Sequence, residues 1–179
     1  MKAFNVVNLM KWVEDNKDHL KPPVCNKEIF PGSEYIVMVI GGPNTRKDYH
    51  YNETPEFFMQ LKGDMVLKVI DDGVPTDIPI KEGEIFVLPA KVPHSPQRPA
   101  GTIGLVIEHV RDVEKHTDGF QWYCDNCNHQ LHEVKFPLVD VEKDFLGHFK
   151  DFYASQDLLT CDNCGHVMPV DKRFTADED

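Results

Sequence analysis

Long apolar runs are missing from this chain. No stretch approaches the roughly 18 consecutive apolar residues that a membrane-crossing helix needs. The N-terminus lacks the basic, apolar, small-residue order of a secretory signal, so a cytoplasmic protein with no membrane partner is expected. Basic residues are also scarce, 19 Lys and Arg against 30 Asp and Glu, for a formal charge of −11. Such a surface repels phosphate backbones unless its cations cluster, and they do not, which disfavours nucleic acid as a partner. Cysteine is nearly absent before position 120, where Cys25 stands alone and reads as a small apolar filler. A disulfide-stapled fold is not expected in this compartment.

What is present is a chain of 179 residues, 41% hydrophobic, enough for one core and a small appended module. Leu9, Trp12 and Val13 recur at helical spacing within residues 5–20, predicting a short amphipathic helix lying on the main core. PPVCNKEIFPGSE follows as a proline-rich connection that could close over a site. From Tyr35 the texture becomes β: YIVMVIGG, YHYNETPEFFMQLKG, MVLKVIDDG, EIFVLPA and TIGLVIEHV are short runs punctuated by Gly, Pro and Asp. Closely spaced strands of this kind predict a sandwich or barrel, with a hairpin turning at Asp71, Asp72 and Gly73. After Arg111, DVEKHTDGFQ is polar enough to be a linker, dividing residues 1–112 from a C-terminal segment of 113–179. In that segment Leu138, Val141, Phe145, Phe149 and Phe152 predict an amphipathic helix with an aromatic face. That face is covered by the chain's own core or by a second copy, and a homodimer is the expected assembly. The acidic tail TADED is expected to fray.

The richest stretch is TRKDYHYNETPEFFMQLKG. Arg46, His50 and Asn52 are separated by even numbers of residues and share one face of a strand. Glu53, Thr54 and Pro55 break the run, and Glu56 opens a second strand; a hairpin would bring Glu56 beside His50. His94, at a proline-bounded turn in GEIFVLPAKVPHSPQR, is the best third ligand. Two neutral imidazoles and one carboxylate on one face of an octahedral ion are the ligand set of non-haem Fe(II) oxygenases.

Two identical knuckles, Cys124-Asp-Asn-Cys127 and Cys161-Asp-Asn-Cys164, each place two thiolates within reach of one tetrahedral ion. They predict a second, structural metal, iron or zinc, with no open position for a substrate. Three further charges invite two readings each. Arg46 lies four residues before His50 and Arg98 four after His94, so they are either solvated surface arginines or a pair that binds an anion bidentately. Glu108 interrupts GLVIEHV, a strand apolar on both faces, and is either salt-bridged or chemically active.

The two motif stretches resemble those of the cupin superfamily: His50, Asn52, Glu56 and Gly63 in the first, Gly83, Pro89 and His94 in the second. That resemblance implies a mainly β jelly roll, or double-stranded β-helix, over about residues 30–112. Asn52 stands where most cupins have another histidine, which favours a three-ligand site. Over nearly its full length the chain resembles one cupin family, the 3-hydroxyanthranilate 3,4-dioxygenases of the form that carries a C-terminal rubredoxin-like site. KPPVCNK, GGPNTRKDYHYNETPEFFMQLKGDMVLKV, LPAKVPHSPQRP, GLVIEH, WYCDNC and CDNC carry that likeness. It implies Fe(II) on His50, Glu56 and His94, with 3-hydroxyanthranilate and O₂ as substrates. It also implies that Arg46 and Arg98 bind the substrate carboxylate, that Glu108 contacts the hydroxyl as a candidate base, and that Asn26 lies near the substrate. The ring would open to 2-amino-3-carboxymuconate semialdehyde, the precursor of quinolinate and so of NAD. The alternatives are a cupin metalloenzyme acting on another small acid and a sensor that binds its ligand without consuming O₂.

Overall fold

Alternating apolar and polar side chains build strands through the middle of the chain, and in the computed structural model, which describes residues 5–22, 25–139 and 144–175, they form two antiparallel sheets. One sheet has five strands in the order β1 (Asn26–Glu28), β2 (Tyr35–Gly41), β9 (Ile103–His109), β4 (Glu56–Lys62) and β7 (Ile85–Leu88). The other has six, in the order β11 (Gln130–Phe136), β10 (Asp118–Tyr123), β3 (Asp48–Tyr51), β8 (His94–Gln97), β5 (Met65–Asp71) and β6 (Val74–Ile80). Met38, Phe58 and Val106 from the first sheet meet Met65, Leu67 and Val69 from the second in one buried cluster. The expected jelly-roll architecture is thus present, with the core between the layers. The β5–β6 hairpin also turns where expected: Asp71 pairs with Val74, and Asp72 and Gly73 both take positive φ, as a tight two-residue turn demands.

Helix α1 (Leu9–Asp15) is shorter than the 5–20 stretch that suggested it. Asn8 caps its start by accepting from the Lys11 amide, and the Asn16 side chain closes its end on the Trp12 carbonyl. Val13 packs with Leu20, Val39 and Leu105 on the outer face of the five-stranded sheet. Helix α2 runs Asp144–Ala154 and is followed by the single turn of α3 (Gln156–Leu159). Its aromatic face is covered by the chain itself: Phe149 and Phe152 pack with Phe120 and Trp122 of β10, and Trp122 stacks on Phe152 with centroids 4.3 Å apart. Leu138 joins that cluster from outside the helix; Val141 lies outside the described residues. So do Pro23 and Val24 of the proline-rich connection and the last four residues of the acidic tail.

Two expectations are corrected. His50 and Glu56 do not lie on one hairpin, because β3 belongs to the six-stranded sheet and β4 to the five-stranded one. Asn52 makes the corner between them, its Oδ1 accepting from both the amide and the hydroxyl of Thr54. The polar linker after Arg111 is also less than a linker: from Asp118 it becomes β10, paired to β3 on one side and β11 on the other. Its polarity misleads because Asp118, fully buried, is matched by charges elsewhere in the fold.

Candidate active site

The two histidines face each other across neighbouring strands, His50 on β3 opposite His94 on β8. Glu56 reaches them from the other sheet, its Oε1 3.2 Å from His94 Nε2 and 3.7 Å from His50 Nδ1. All three are buried, and their ligand atoms lie within 4.8 Å of one another. The partners on the far sides of the rings fix where the protons sit. His94 Nδ1 is 3.1 Å from the Val92 carbonyl and His50 Nε2 is 2.8 Å from Asp118 Oδ2, and both of those oxygens can only accept. Each ring therefore turns a bare lone pair toward the Glu56 carboxylate. Three lone-pair donors converging on one point call for a cation between them, so the triad fits a metal ion of the class expected.

Charge in the pocket is graded. Burial alone would raise the Glu56 carboxyl, but when no ion stands between it and the imidazoles and these take up protons, the charge and hydrogen bond of His94, then the charge of His50 and the Asn52 hydrogen bond, bring it down to about 2. Glu108, directly opposite Glu56 on β9, is pushed up to about 7 by burial and by the Glu56 charge, with Arg111 opposing. Asn52 sits between the two carboxylates, its Nδ2 donating to Glu56 Oε1 at 3.0 Å and lying 3.5 Å from Glu108 Oε2. Two carboxyls with protonation pushed apart in one site are a common arrangement for dividing ligand and base roles. His50 is lowered by burial, and His94 is raised because, against burial, the charge and hydrogen bond of Glu56 and the hydrogen bond to Val92 act together.

The cavity beside the triad is lined by Asn26, Arg46, Arg98, Glu108 and Phe145, so every residue singled out for a substrate is brought to one place. The two arginines differ. Arg46 is ion-paired with Asp48, and its guanidinium carbon lies 5.0 Å from the Phe149 ring centroid. Arg98 is 1% exposed, donates Nη1 to Gln60 Oε1 at 2.7 Å, and has no partner for Nε. Among the described residues no carboxylate pairs with it, and burial pulls its guanidinium down to about 10. Asn26 presents a buried Oδ1 that also has no partner.

Sequence reasoning missed the support of the site. Arg111 is buried and bridges two acids: its Nη2 is 2.5 Å from Glu108 Oε2, and its Nε is 3.0 Å from Asp118 Oδ1. A chain of contacts thus runs from Glu108 through Arg111 and Asp118 to His50. The only signal was an acid opening the aromatic run GFQWY, which polarity hid.

The four cysteines also converge. Cys124 and Cys164 lie 3.6 Å apart, as do Cys127 and Cys161, far beyond a disulfide bond. A thiolate tetrahedron around an ion at about 2.3 Å has edges of roughly 3.8 Å, which these separations match. The knuckles mirror each other. Asn126 donates to Cys164 Sγ and Asn163 to Cys127 Sγ, and Asn128 and Gly165 take left-handed φ at equivalent positions. The donor set is closed, and no cysteine lines the cavity beside His50 and His94.

Comparison with known proteins agrees with this geometry. A family model described as 3-hydroxyanthranilic acid dioxygenase matches residues 1–153. A Xanthomonas oryzae pv. oryzae protein named 3-hydroxyanthranilate 3,4-dioxygenase is 56% identical over 173 residues, covering 97% of each chain. One of the same name from Bacillus cereus is 46% identical over 169 residues, covering 94% of each. Among solved structures, a cupin-2 domain-containing protein from Shewanella frigidimarina aligns with a TM-score of 0.47 at 19% identity, covering 59% of this chain and 95% of that one.

Proposed function

We infer from this site, and from the 3-hydroxyanthranilic acid dioxygenase family to which the chain belongs, that the protein opens the ring of 3-hydroxyanthranilate with O₂. The product is 2-amino-3-carboxymuconate semialdehyde, which cyclises to quinolinate on the way to NAD. His50, Glu56 and His94 hold Fe(II) in this reading, and iron bound there supplies a Lewis acid for the adjacent hydroxyl and amine and an electron path to O₂.

The chain's own groups do the rest. Arg98 takes the ring carboxylate, and Arg46 adds donors from the same cavity lining with its charge shared with Asp48. Glu108 accepts the hydroxyl proton; a carboxyl raised to about 7 is matched to a proton that must be taken and returned near neutrality. Asn26 offers its free Oδ1 to an N–H or O–H of the substrate. The four cysteines hold iron or zinc as a closed structural centre of rubredoxin type. A homodimer belongs to the same reading.

One observation carries the substrate assignment: a fully buried guanidinium without an acid opens on the same cavity as the two-histidine, one-carboxylate triad. The test is anaerobic loading with Fe(II), then O₂ uptake with 3-hydroxyanthranilate while the absorbance of the ring-opened semialdehyde is followed. Equal uptake and product are expected, and His50→Ala and Glu56→Ala should each lose tightly bound iron and turnover together. Iron-loaded wild-type protein that binds the acid yet consumes no O₂ would overturn the assignment.

A further inference from the structure

We propose that Gln60 is the residue that sets selectivity for a carboxylate, by holding Arg98 with a neutral acceptor so that its positive charge is left for the substrate. The proposal rests on the reading of Arg98 given above. Arg98 enters the cavity just past β8, its backbone pinned by reciprocal 2.9 Å hydrogen bonds with Asn44. Its side chain crosses to the five-stranded sheet, where Nη1 donates to Gln60 Oε1 at 2.7 Å. The Gln60 Nε2 donates to the Gly63 carbonyl at 2.8 Å, and since that carbonyl can only accept, the amide oxygen must be the atom that faces Arg98. Gln60 is 1% exposed, so the pair is held away from water.

The opposite strand is cut to fit this pair. Gly104 on β9 is the cross-strand partner of Gln60. A Cβ at Gly104 would lie 2.3 Å from Arg98 Nη1 and 2.6 Å from Gln60 Oε1, so only a hydrogen leaves both groups room. The other arginine lining the cavity, Arg46, is matched by Asp48, and Arg111, bonded to the lining residue Glu108, is matched by Glu108 and Asp118. At position 60 a glutamate would have the same length and reach, and would cancel the Arg98 charge inside the empty pocket. The amide orients the guanidinium without cancelling it. An incoming carboxylate then meets an unmatched cation in a water-poor site, where a charge-assisted bond is strongest.

The experiment compares kcat/KM for 3-hydroxyanthranilate with that for 2-aminophenol, the same ring without the carboxylate, in the iron-loaded wild type, Gln60→Glu and Gly104→Ala. Binding of anthranilate to the metal-free proteins, followed by calorimetry, gives a readout independent of turnover. The ratio of the two kcat/KM values should fall about 10- to 100-fold in Gln60→Glu, the span of a lost charge-assisted hydrogen bond, with anthranilate weakened to match. Glu at 60 turns an oxygen toward the Gly63 carbonyl, so thermal melting must show a folded variant. Gly104→Ala keeps the amide and displaces Arg98 from the opposite strand, so it reports on Arg98; if Gln60→Glu does not fold, Gln60→Met, which removes the acceptor and adds no charge, decides the matter by whether the same ratio falls. A merely structural Gln60 would slow both substrates equally, and a folded variant with the wild-type ratio overturns the proposal. A wild type indifferent to the carboxylate overturns both this proposal and the role given to Arg98, whereas a discriminating wild type with equally discriminating variants overturns only the role of Gln60.

Discussion

Asp118 is a single carboxylate with three hydrogen-bonding claims on it, from His50 Nε2 and from Arg111 Nε and Nη2. Burial would raise its pKa, but the hydrogen bonds and charges of His50 and Arg111 hold it below the usual carboxylate range. An acid whose folded pKa is depressed stabilises the fold above its unfolded pKa, near 4, and loses that contribution as pH falls through the lower folded value. Asp118→Asn should therefore melt well below wild type at pH 7, by about 3 kcal/mol for breaking one side of a buried pair, and the gap should narrow below about pH 4. Metal-free samples at pH 7 and pH 3 provide the comparison, and a gap that stays constant would mean that Asp118 does not titrate with folding. At this scale the candidate ligands, which the structure brings together, were legible because alternation marks which side chains share a face and because His and Glu stand out among apolar neighbours. Asp118, Arg111 and Gln60 were not legible, because each owes its role to a partner 7 to 68 residues away. The difference between Arg46 and Arg98 is a matter of what lies beside each, and spacing carries no record of that.

Elements obey a similar division. Strand texture and the Asp-Gly turn of β5–β6 could be read directly, since local propensity and turn chemistry agree there. The hairpin expected between His50 and Glu56 could not, because the Asn52 corner sends the second strand to the other sheet and only tertiary pairing shows which. The knuckles were legible as a pair, and their reciprocal asparagine contacts now tie each half to the other's sulfur. Cys161→Ser should open this element first: hydrogen-exchange protection around residues 158–168 should collapse and bound metal should fall by one equivalent. None of the cysteines lines the cavity, so kcat should hold within about twofold. Loss of kcat with a folded, iron-loaded barrel would contradict the separation of the two centres.

The molecule as a whole carries a charge of −11 while its cavity is lined by Arg46 and Arg98. At low salt the net field repels 3-hydroxyanthranilate over a Debye length of about 30 Å, and at about 0.15 M that reach shrinks to about 8 Å; the buried arginines are screened far less. Raising ionic strength across this range should leave or increase kcat/KM for the acid by up to a few fold and leave that for 2-aminophenol flat. A marked fall for the acid would mean that the cavity's own field extends into solution and dominates. The overall architecture was legible from β texture, but the way it closes was not. Strand β10, hidden in what read as a linker, joins the sheet beside β3 and brings Asp118 to His50. That connection gives the site a chronology. On the ribosome all three candidate metal ligands emerge before residue 118, so the histidine that would point a bare nitrogen inward waits for its orienting acid until the chain is two-thirds made. A nascent chain stalled short of β10 holds all three candidate ligands and lacks the acid that sets which nitrogen His50 offers.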